Sequence, residues 1–333
     1  MFSQPIFIKI LAKLTVSTPF SSAYRLAVLV PCRNEALTIA QVVTDFRQQL
    51  PNAAIYVYDN CSTDDTATVA HQAGAIVRYE KQPGKGNVIR RMFADIEADI
   101  YILVDGDNTY EAGAVGRLVD RLINEQLDMV VGARRSEFKD KEAYRFGHRS
   151  GNQFLKGIVE LQFGARLDDM LSGYRIFSRR FVKCFPAISN GFEIETELTI
   201  HTLELRLPFA EEPVLYQSRP SGSESKLNTI SDGFRVLGTS FLLMKETRPF
   251  LFFGVFFALF SGAAIALMVP VLWTYLETGQ VPRFPTVIIA ASLMSLGFVF
   301  FTCGLILDSV ARGRRELKRM AYLRIPRVEI KEI

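Results

Sequence analysis

Residues 99–107 read DIYILVDGD, a run of β-branched and aromatic side chains, too short for a helix, that ends on two carboxylates around one glycine. That is the pattern of a buried strand entering a turn. Toward the N-terminus, RLAVLVP at 25–31, AIYVYD at 54–59 and IVRYE at 76–80 repeat the strand pattern. The intervening stretches 37–50, 64–74 (DDTATVAHQAG) and 87–96 read as helices. Strand and helix in alternation predict an α/β fold, Rossmann-like, with a mostly parallel sheet covered by helices. Ligands of such sheets bind at the carboxyl ends of the strands, and here those ends carry Glu35, Asp59, and Asp105 with Asp107. Four acids distant in sequence would thus line one crevice.

Downstream, the chain changes character. Residues 249–276 and 285–307 carry no charged side chain, and each is long enough to cross a hydrocarbon layer of about 30 Å as a helix. The short polar loop between them makes an antiparallel transmembrane hairpin. Lys245 and Arg248 precede the first run, and Arg312, Arg314, Arg315, Lys318 and Arg319 follow the second. Basic flanks on both sides place both ends, and with them the α/β part, in the cytoplasm. The expected organisation is an N-terminal amphipathic segment (1–24), a catalytic α/β domain (25–229), a juxtamembrane amphipathic helix (230–248), the hairpin (249–308) and a basic cytoplasmic tail (309–333).

Composition narrows the function. Of 333 residues, 49% are hydrophobic, too many for a disordered chain, and a net charge of +4 argues against a nucleic-acid partner. Cys32, Cys61, Cys184 and Cys303 form neither a CxxC pair nor a zinc spacing with His71, His148 and His201. The PGKGN loop lacks the GxxxxGK[ST] spacing, which excludes a P-loop ATPase. By contrast, Asp105-Gly106-Asp107 is suited to chemistry. Carboxylates one residue apart at a turn can share a hard divalent cation that bridges the phosphates of a nucleotide, although the same triplet also serves as an ordinary turn.

Seven motifs decide between those uses. VLVPCRNE, YDNCSTDDT, PGKGNVIRR, DGDNTY, GARR, DDMLSGYR and RPSGSESKL occur in this order, and together they resemble the family 2 glycosyltransferases with the GT-A fold. The resemblance runs from Leu26 to Leu227, and the C-terminal hairpin continues it. More narrowly it is similar to the polyprenyl-phosphate glycosyltransferases, the group of dolichol-phosphate mannose synthase and the bacterial undecaprenyl-phosphate glucosyltransferases. The resemblance implies a multi-pass protein of the plasma membrane, the bacterial inner membrane, bound to membrane lipids and capable of homo-oligomerisation.

Carried over motif by motif, it implies a donor site for a UDP- or GDP-sugar built from Pro31, Glu35, Asp59, Asn60, Lys85, Asp105, Gly106 and Asp107. Asp105 and Asp107 would hold Mg²⁺ or Mn²⁺, and Asp169 would act beside Asp107 at the reacting centre. Asn60-Cys61 and Thr109 depart from the residues many relatives carry there.

The acceptor side follows from charge. A phosphate monoester has a second pKa near 6, so a polyprenyl phosphate is mostly a dianion at neutral pH and needs no strong general base. It does need cations that let two anions meet. The candidates are Arg134, Arg145, Arg149, Arg175 and Arg219, with Ser172, Ser225 and Lys226, of which Arg134, Arg219 and Lys226 lie in the tightest motifs. Two rivals stand beside this inverting transferase. A processive polysaccharide synthase would need a QxxRW motif, yet the only tryptophan is Trp273, inside a membrane run. A non-enzymatic nucleotide-sensing membrane scaffold would be indifferent to loss of Asp107.

Overall fold

Alternation along the strands splits the core into two layers. In the computed structural model, which describes residues 24–135, 157, 164, 168–191, 193–219 and 244–327, β1 (Leu26–Cys32) turns Leu26, Val28, Val30 and Cys32 to one face and Ala27 and Leu29 to the other. The remaining strands are β2 (Ala54–Asp59), β3 (Ile76–Tyr79), β4 (Ile100–Leu103), β5 (Met129–Arg135), β6 (Arg175–Ser178) and β7 (Phe209–Leu215). They form one seven-stranded sheet in the order β3-β2-β1-β4-β6-β5-β7. The pairs β1–β2, β1–β4, β2–β3 and β5–β7 are parallel, whereas β6 runs antiparallel to β4 and β5. Because Leu103 pairs with Arg175, the segment entering β6 lies beside the turn leaving β4.

Helices cover both faces, as the near-continuous apolar strands require. Ile39, Val42, Val43 and Phe46 of α1 (Ile39–Gln49) share a stripe at i, i+3, i+4 and i+7. α2 (Thr66–Gln72), which buries Thr66 and Ala70, α3 (Lys85–Asp95) and α4 (Val115–Asn124) follow; in α4, Val115, Leu118, Val119 and Leu122 repeat that stripe on the same face. Val88, Ile89, Met92 and Phe93 of α3 pack on the opposite face with α5 (Arg179–Cys184) and α6 (Ile194–Leu205). Each large apolar side chain fully buried in this way contributes roughly 1.5–3 kcal/mol.

His201 of α6 belongs to this second layer. It is packed edge-on against Phe181 and Phe185, with Nε2 3.4 Å from Cys184 Sγ. Burial pushes its pKa down to about 3, and the Lys318 charge adds to the effect. Cys184 is pushed the other way, to about 12, by the same burial.

Two further helices, α7 (Pro249–Thr278) and α8 (Phe284–Leu323), have 18-residue windows of mean hydropathy 2.4 and 2.1 that are only 17% buried. On α8, Ala290, Gly297, Gly304 and Ala311 are buried at intervals of one heptad, the small-residue seam that lets membrane helices approach closely. A Cβ on Gly304 would stand 3.1 Å from Phe253 Cβ, and one on Gly297 would stand 3.0 Å from Ser261 Oγ. The second helix does not stop near Leu307 as expected. It runs on to Leu323, so the first part of the expected basic cytoplasmic tail (309–333) continues the same helix. The stretch ELKRMAYL is rich in strong helix formers, and it finds a surface to pack on. The expected segments 1–24 and 230–248 fall outside the described residues, apart from Tyr24 and 244–248.

Two outcomes follow. The unfolded imidazole, with a pKa near 6.5, takes up a proton that the folded one refuses, so stability falls as pH drops below 6.5. The slope attributable to His201 reaches about 1.4 kcal/mol per pH unit. Thermal melts between about pH 7 and 4 should show a shallower acid limb for His201→Leu than for the wild type; parallel limbs would refute the assignment. In detergent, Gly304→Leu should weaken the hairpin by about 1–3 kcal/mol, read as a lower melting temperature, through overpacking against Phe253.

Candidate active site

Three strand ends turn the same way. Asn34 after β1, Cys61 after β2 and Asn108 after β4 all have left-handed backbones, with φ of 53°, 58° and 56°. Asparagine tolerates that conformation; cysteine does so less readily. The turns are cross-tied. Asn34 Oδ1 accepts from Thr63 N at 2.8 Å, and Thr38 Oγ1 donates to the Gly106 carbonyl at 2.7 Å. Gly106 itself admits no side chain, since a Cβ there would lie 2.5 Å from Cys32 Sγ.

Within this frame the carboxylates converge. Asp107 accepts from Thr109 Oγ1 at 2.6 Å through Oδ1 and from Arg219 Nη2 at 2.7 Å through Oδ2. The same guanidinium reaches Glu35 Oε1 at 3.9 Å. Asp105 pairs with Lys85, the first residue of α3, whose Nζ also lies 2.6 Å from Glu195 Oε1 of α6. Burial works against the lysine charge, but the two carboxylates outweigh it and hold the ammonium well above its ordinary range. Asp59 is buried, with Oδ2 accepting from Ser62 N at 3.3 Å and Oδ1 without a hydrogen-bond partner. Pro31, half-buried on β1, is paired in register with Tyr58.

A second set of groups arrives with β5, β6 and β7. Arg134 at the end of β5 grips Asp169 through two parallel bonds, Nε to Oδ2 at 2.7 Å and Nη2 to Oδ1 at 2.8 Å. Burial opposes the aspartate charge, yet these bonds prevail and keep its carboxyl below the usual range. Glu211 of β7 accepts from Asp168 N and Asp169 N at 2.7 and 3.0 Å, fixing the segment from beneath. Arg134 also lies 5.4 Å over the Tyr216 ring, which packs on Tyr110. Tyr110 in turn accepts from Gly173 N at 2.9 Å through its hydroxyl. At Gly173 a Cβ would stand 2.3 Å from Asp105 Oδ2, so the two sets meet there.

The structure therefore unites Glu35, Asp105, Asp107, Lys85 and Arg219, and joins Arg134 to Asp169. It also corrects three expectations. Arg175, read as a phosphate ligand, has no exposed surface and donates to Ser172 O, Met170 O and Thr199 Oγ1. Ser172 is equally buried, its hydroxyl donating to Gly132 O at 2.6 Å. Asn60, expected at the donor, gives both amide N–H bonds to Glu80 O and Gln82 O and accepts from Gly84 N, so it braces the PGKG loop instead. Arg145, Arg149, Ser225 and Lys226 lie outside the described residues. Glu211 and Tyr216 lie outside the seven motifs, whereas Tyr110 closes DGDNTY. Glu195, in GFEIETEL, also lies outside them.

Among the described residues no group of three His, Cys, Asp or Glu side chains gathers as a metal cage. Asp105 and Asp107 nevertheless suit a hard cation such as Mg²⁺, which is commonly held by one or two carboxylates with phosphate oxygens and waters completing the shell.

This geometry agrees with comparison to known proteins. Residues 27–185 match the model of glycosyl transferase family 2. The chain is 34% identical over 249 residues to the glycosyltransferase AglJ of Haloferax volcanii, covering 74% of this chain and 81% of that protein. It is 53% identical over 127 residues to protein RfbJ of Shigella flexneri, covering 38% of this chain and 98% of RfbJ. The chain belongs to glycosyl transferase family 2, and it is a glycosyltransferase. Its fold is GT-A. A crystal structure of Mycobacterium tuberculosis glucosyl-3-phosphoglycerate synthase with Mn²⁺, UDP-glucose and phosphoglyceric acid superposes with a TM-score of 0.54 at 23% identity, over 66% of this chain and 80% of the synthase.

The contact at Gly173 is testable. Gly173→Ala must displace Asp105, and turnover should fall about a hundredfold, the order that a 1 Å misplacement costs. Gly116→Ala, at a site with nothing within 4 Å of the added carbon, should leave turnover unchanged in the same assay.

Proposed function

We propose that the protein transfers a sugar from a nucleotide-sugar donor to a polyprenyl phosphate at the cytoplasmic face of a membrane, with inversion at the anomeric carbon. The observation that carries this reading is the convergence of Glu35, Asp105 and Asp107 with Lys85 and Arg219, in a domain continuous with two long apolar helices whose surfaces are mostly uncovered. Helices in the core of a soluble protein would be largely buried. These have apolar side chains over most of their length with only a small-residue seam between them, which suits lipid contact.

In this reading the donor lies across the carboxyl ends of β1, β2 and β4. Asp59, with a buried oxygen awaiting a donor, faces the nucleoside, and Asp105 and Asp107 hold the cation. The cation, Mg²⁺ or Mn²⁺, would neutralise the departing diphosphate; the synthase of the same fold was crystallised with Mn²⁺ and UDP-glucose. Lys85 on Asp105 and Arg219 on Asp107 bring positive charge to the place where a second anion must approach. Asp169, held charged and immobile by Arg134, orients the sugar or acceptor and removes no proton. The lipid phosphate attacks as a dianion while its tail remains in the bilayer.

The test is to incubate the detergent-purified protein with undecaprenyl phosphate, Mg²⁺ or Mn²⁺ and a panel of UDP- and GDP-sugars, then weigh the lipid. A gain of one sugar, lost with EDTA, is expected. Asp107→Asn should lower that turnover by roughly a hundredfold or more. Growth of a polymer in place of a one-sugar lipid would overturn the acceptor, and an unaffected Asp107→Asn would overturn the role of the cation.

A further inference from the structure

Beyond its apolar run, the end of α8 packs on the catalytic domain and inserts one side chain, Tyr322, into its core. Tyr322 is only 8% exposed and belongs to the apolar layer built by α3, α5 and α6. Its hydroxyl donates to Asp128 Oδ2 at 2.7 Å and accepts from Arg180 Nη1 at 3.2 Å. The Arg180 guanidinium lies 4.8 Å over the same ring, and its Nε donates to the Ile325 carbonyl at 2.9 Å. The other oxygen of Asp128 accepts from Ser178 Oγ at 2.6 Å, and that hydroxyl accepts in turn from Phe181 N at the start of α5. One turn earlier on α8, Lys318 Nζ meets Glu204 Oε2 at 2.7 Å, and Arg319 Nη1 donates to the Leu205 carbonyl at 2.8 Å. Cations there also suit the negative end of the α6 dipole.

A lone surface ion pair is worth little. Here a buried ring, a charge-assisted bond to a buried carboxylate and two cations on the end of α6 act together, which fixes both the depth and the rotation of the helix. α6 then links this dock to the active site. Its C-terminal Glu204 holds Lys318, and its first-turn Glu195 holds Lys85. The two acids stand nine positions apart, about 14 Å at 1.5 Å per residue.

We propose that Lys318, Arg319 and Tyr322 form a positioning clasp that sets the height and orientation at which the active-site crevice meets an acceptor phosphate held in the bilayer. This rests on the lipid-phosphate reading above. A dissolved donor reaches the crevice in any orientation of the domain, whereas a phosphate on a membrane-bound tail reaches it in only a few. The helix from Phe284 to Leu323 is unbroken, so a firm dock at its end makes the whole anchor a rigid stand. Loosening the dock lowers the effective concentration of the tethered acceptor and leaves the chemistry unchanged.

The experiment uses the full chain in vesicles containing undecaprenyl phosphate, with Tyr322→Phe, which keeps the ring, and Lys318→Met, which keeps the stem. KM for the lipid phosphate should rise roughly tenfold in the double variant, the order expected for a lost charge-assisted bond. kcat, KM for the nucleotide sugar, and KM for a short water-soluble prenyl phosphate should stay at wild-type values. Equal losses in all four parameters, or no change in any, would overturn the clasp. Energy transfer from a dye on exposed Cys61 to dyes at the vesicle surface supplies a readout independent of turnover. The wild type should give a narrow distance distribution and the double variant a broad one, whereas identical distributions would refute the proposal. If the wild type glycosylates no lipid phosphate, the acceptor reading fails, and the energy-transfer result alone then decides whether the clasp fixes the domain.

Discussion

Arg175 carries a guanidinium to a place with no exposed surface, and the chain around it answers every side of that group. Nε bonds Ser172 O at 2.9 Å, Nη2 bonds Met170 O at 2.6 Å, and Nη1 bonds Thr199 Oγ1 of α6 at 2.9 Å. Burial pulls its pKa down, while the carboxylates of Glu195 and Asp169 work in the opposite sense. A charge so placed is costly unless its hydrogen bonds are all made, and removing its partners leaves it uncompensated. The residues it holds, 170–172, lie between Asp169 and Gly173. Through Arg175 the sheet, the Asp169 segment and α6 are therefore one body.

From that body the charges of the crevice take their order. Carboxylates from β1 and β4 meet cations from α3 and from the chain after β7, while Arg134 of β5 meets Asp169 from the segment before β6. None of these pairs is local in sequence. The reversed strand β6 makes the arrangement possible, because it begins at the edge where its antiparallel neighbour β4 ends. Had β6 run with the others, Gly173 and Asp105 would sit at opposite ends of the sheet.

Much of this was legible in the sequence. The strands at 25–31, 54–59 and 76–80 lie within a residue of the expected positions, and the one in 99–107 stops at Leu103, ahead of the DGD turn, since apolar runs bounded by polar turns leave few alternatives. The order of motifs gave the family and the GT-A fold. What the sequence hid is directional or distant. Alternation is the same read forward or backward, so nothing local reveals that β6 is antiparallel. Which arginine pairs with Asp169 depends on strand order, and Arg134 occupies the place that a count of neighbours would give to Arg175. Asn60 reads as a polar residue at a strand end, and only the packed PGKG loop shows where its amide points. The C-terminal basic cluster reads as a tail because charge is visible in sequence and a docking surface is not.

The bond between Arg134 and Asp169 joins residues 35 positions apart. It acts as a non-covalent staple across the neck of whatever chain leaves β5 and returns to β6. Closing such a neck costs an entropy that grows only as the logarithm of the enclosed length, about 0.6 kcal/mol for each doubling. The sheet is therefore insulated from the size of the insertion it carries. A change in the length of that stretch costs the sheet little, and the catalytic floor beneath keeps its geometry.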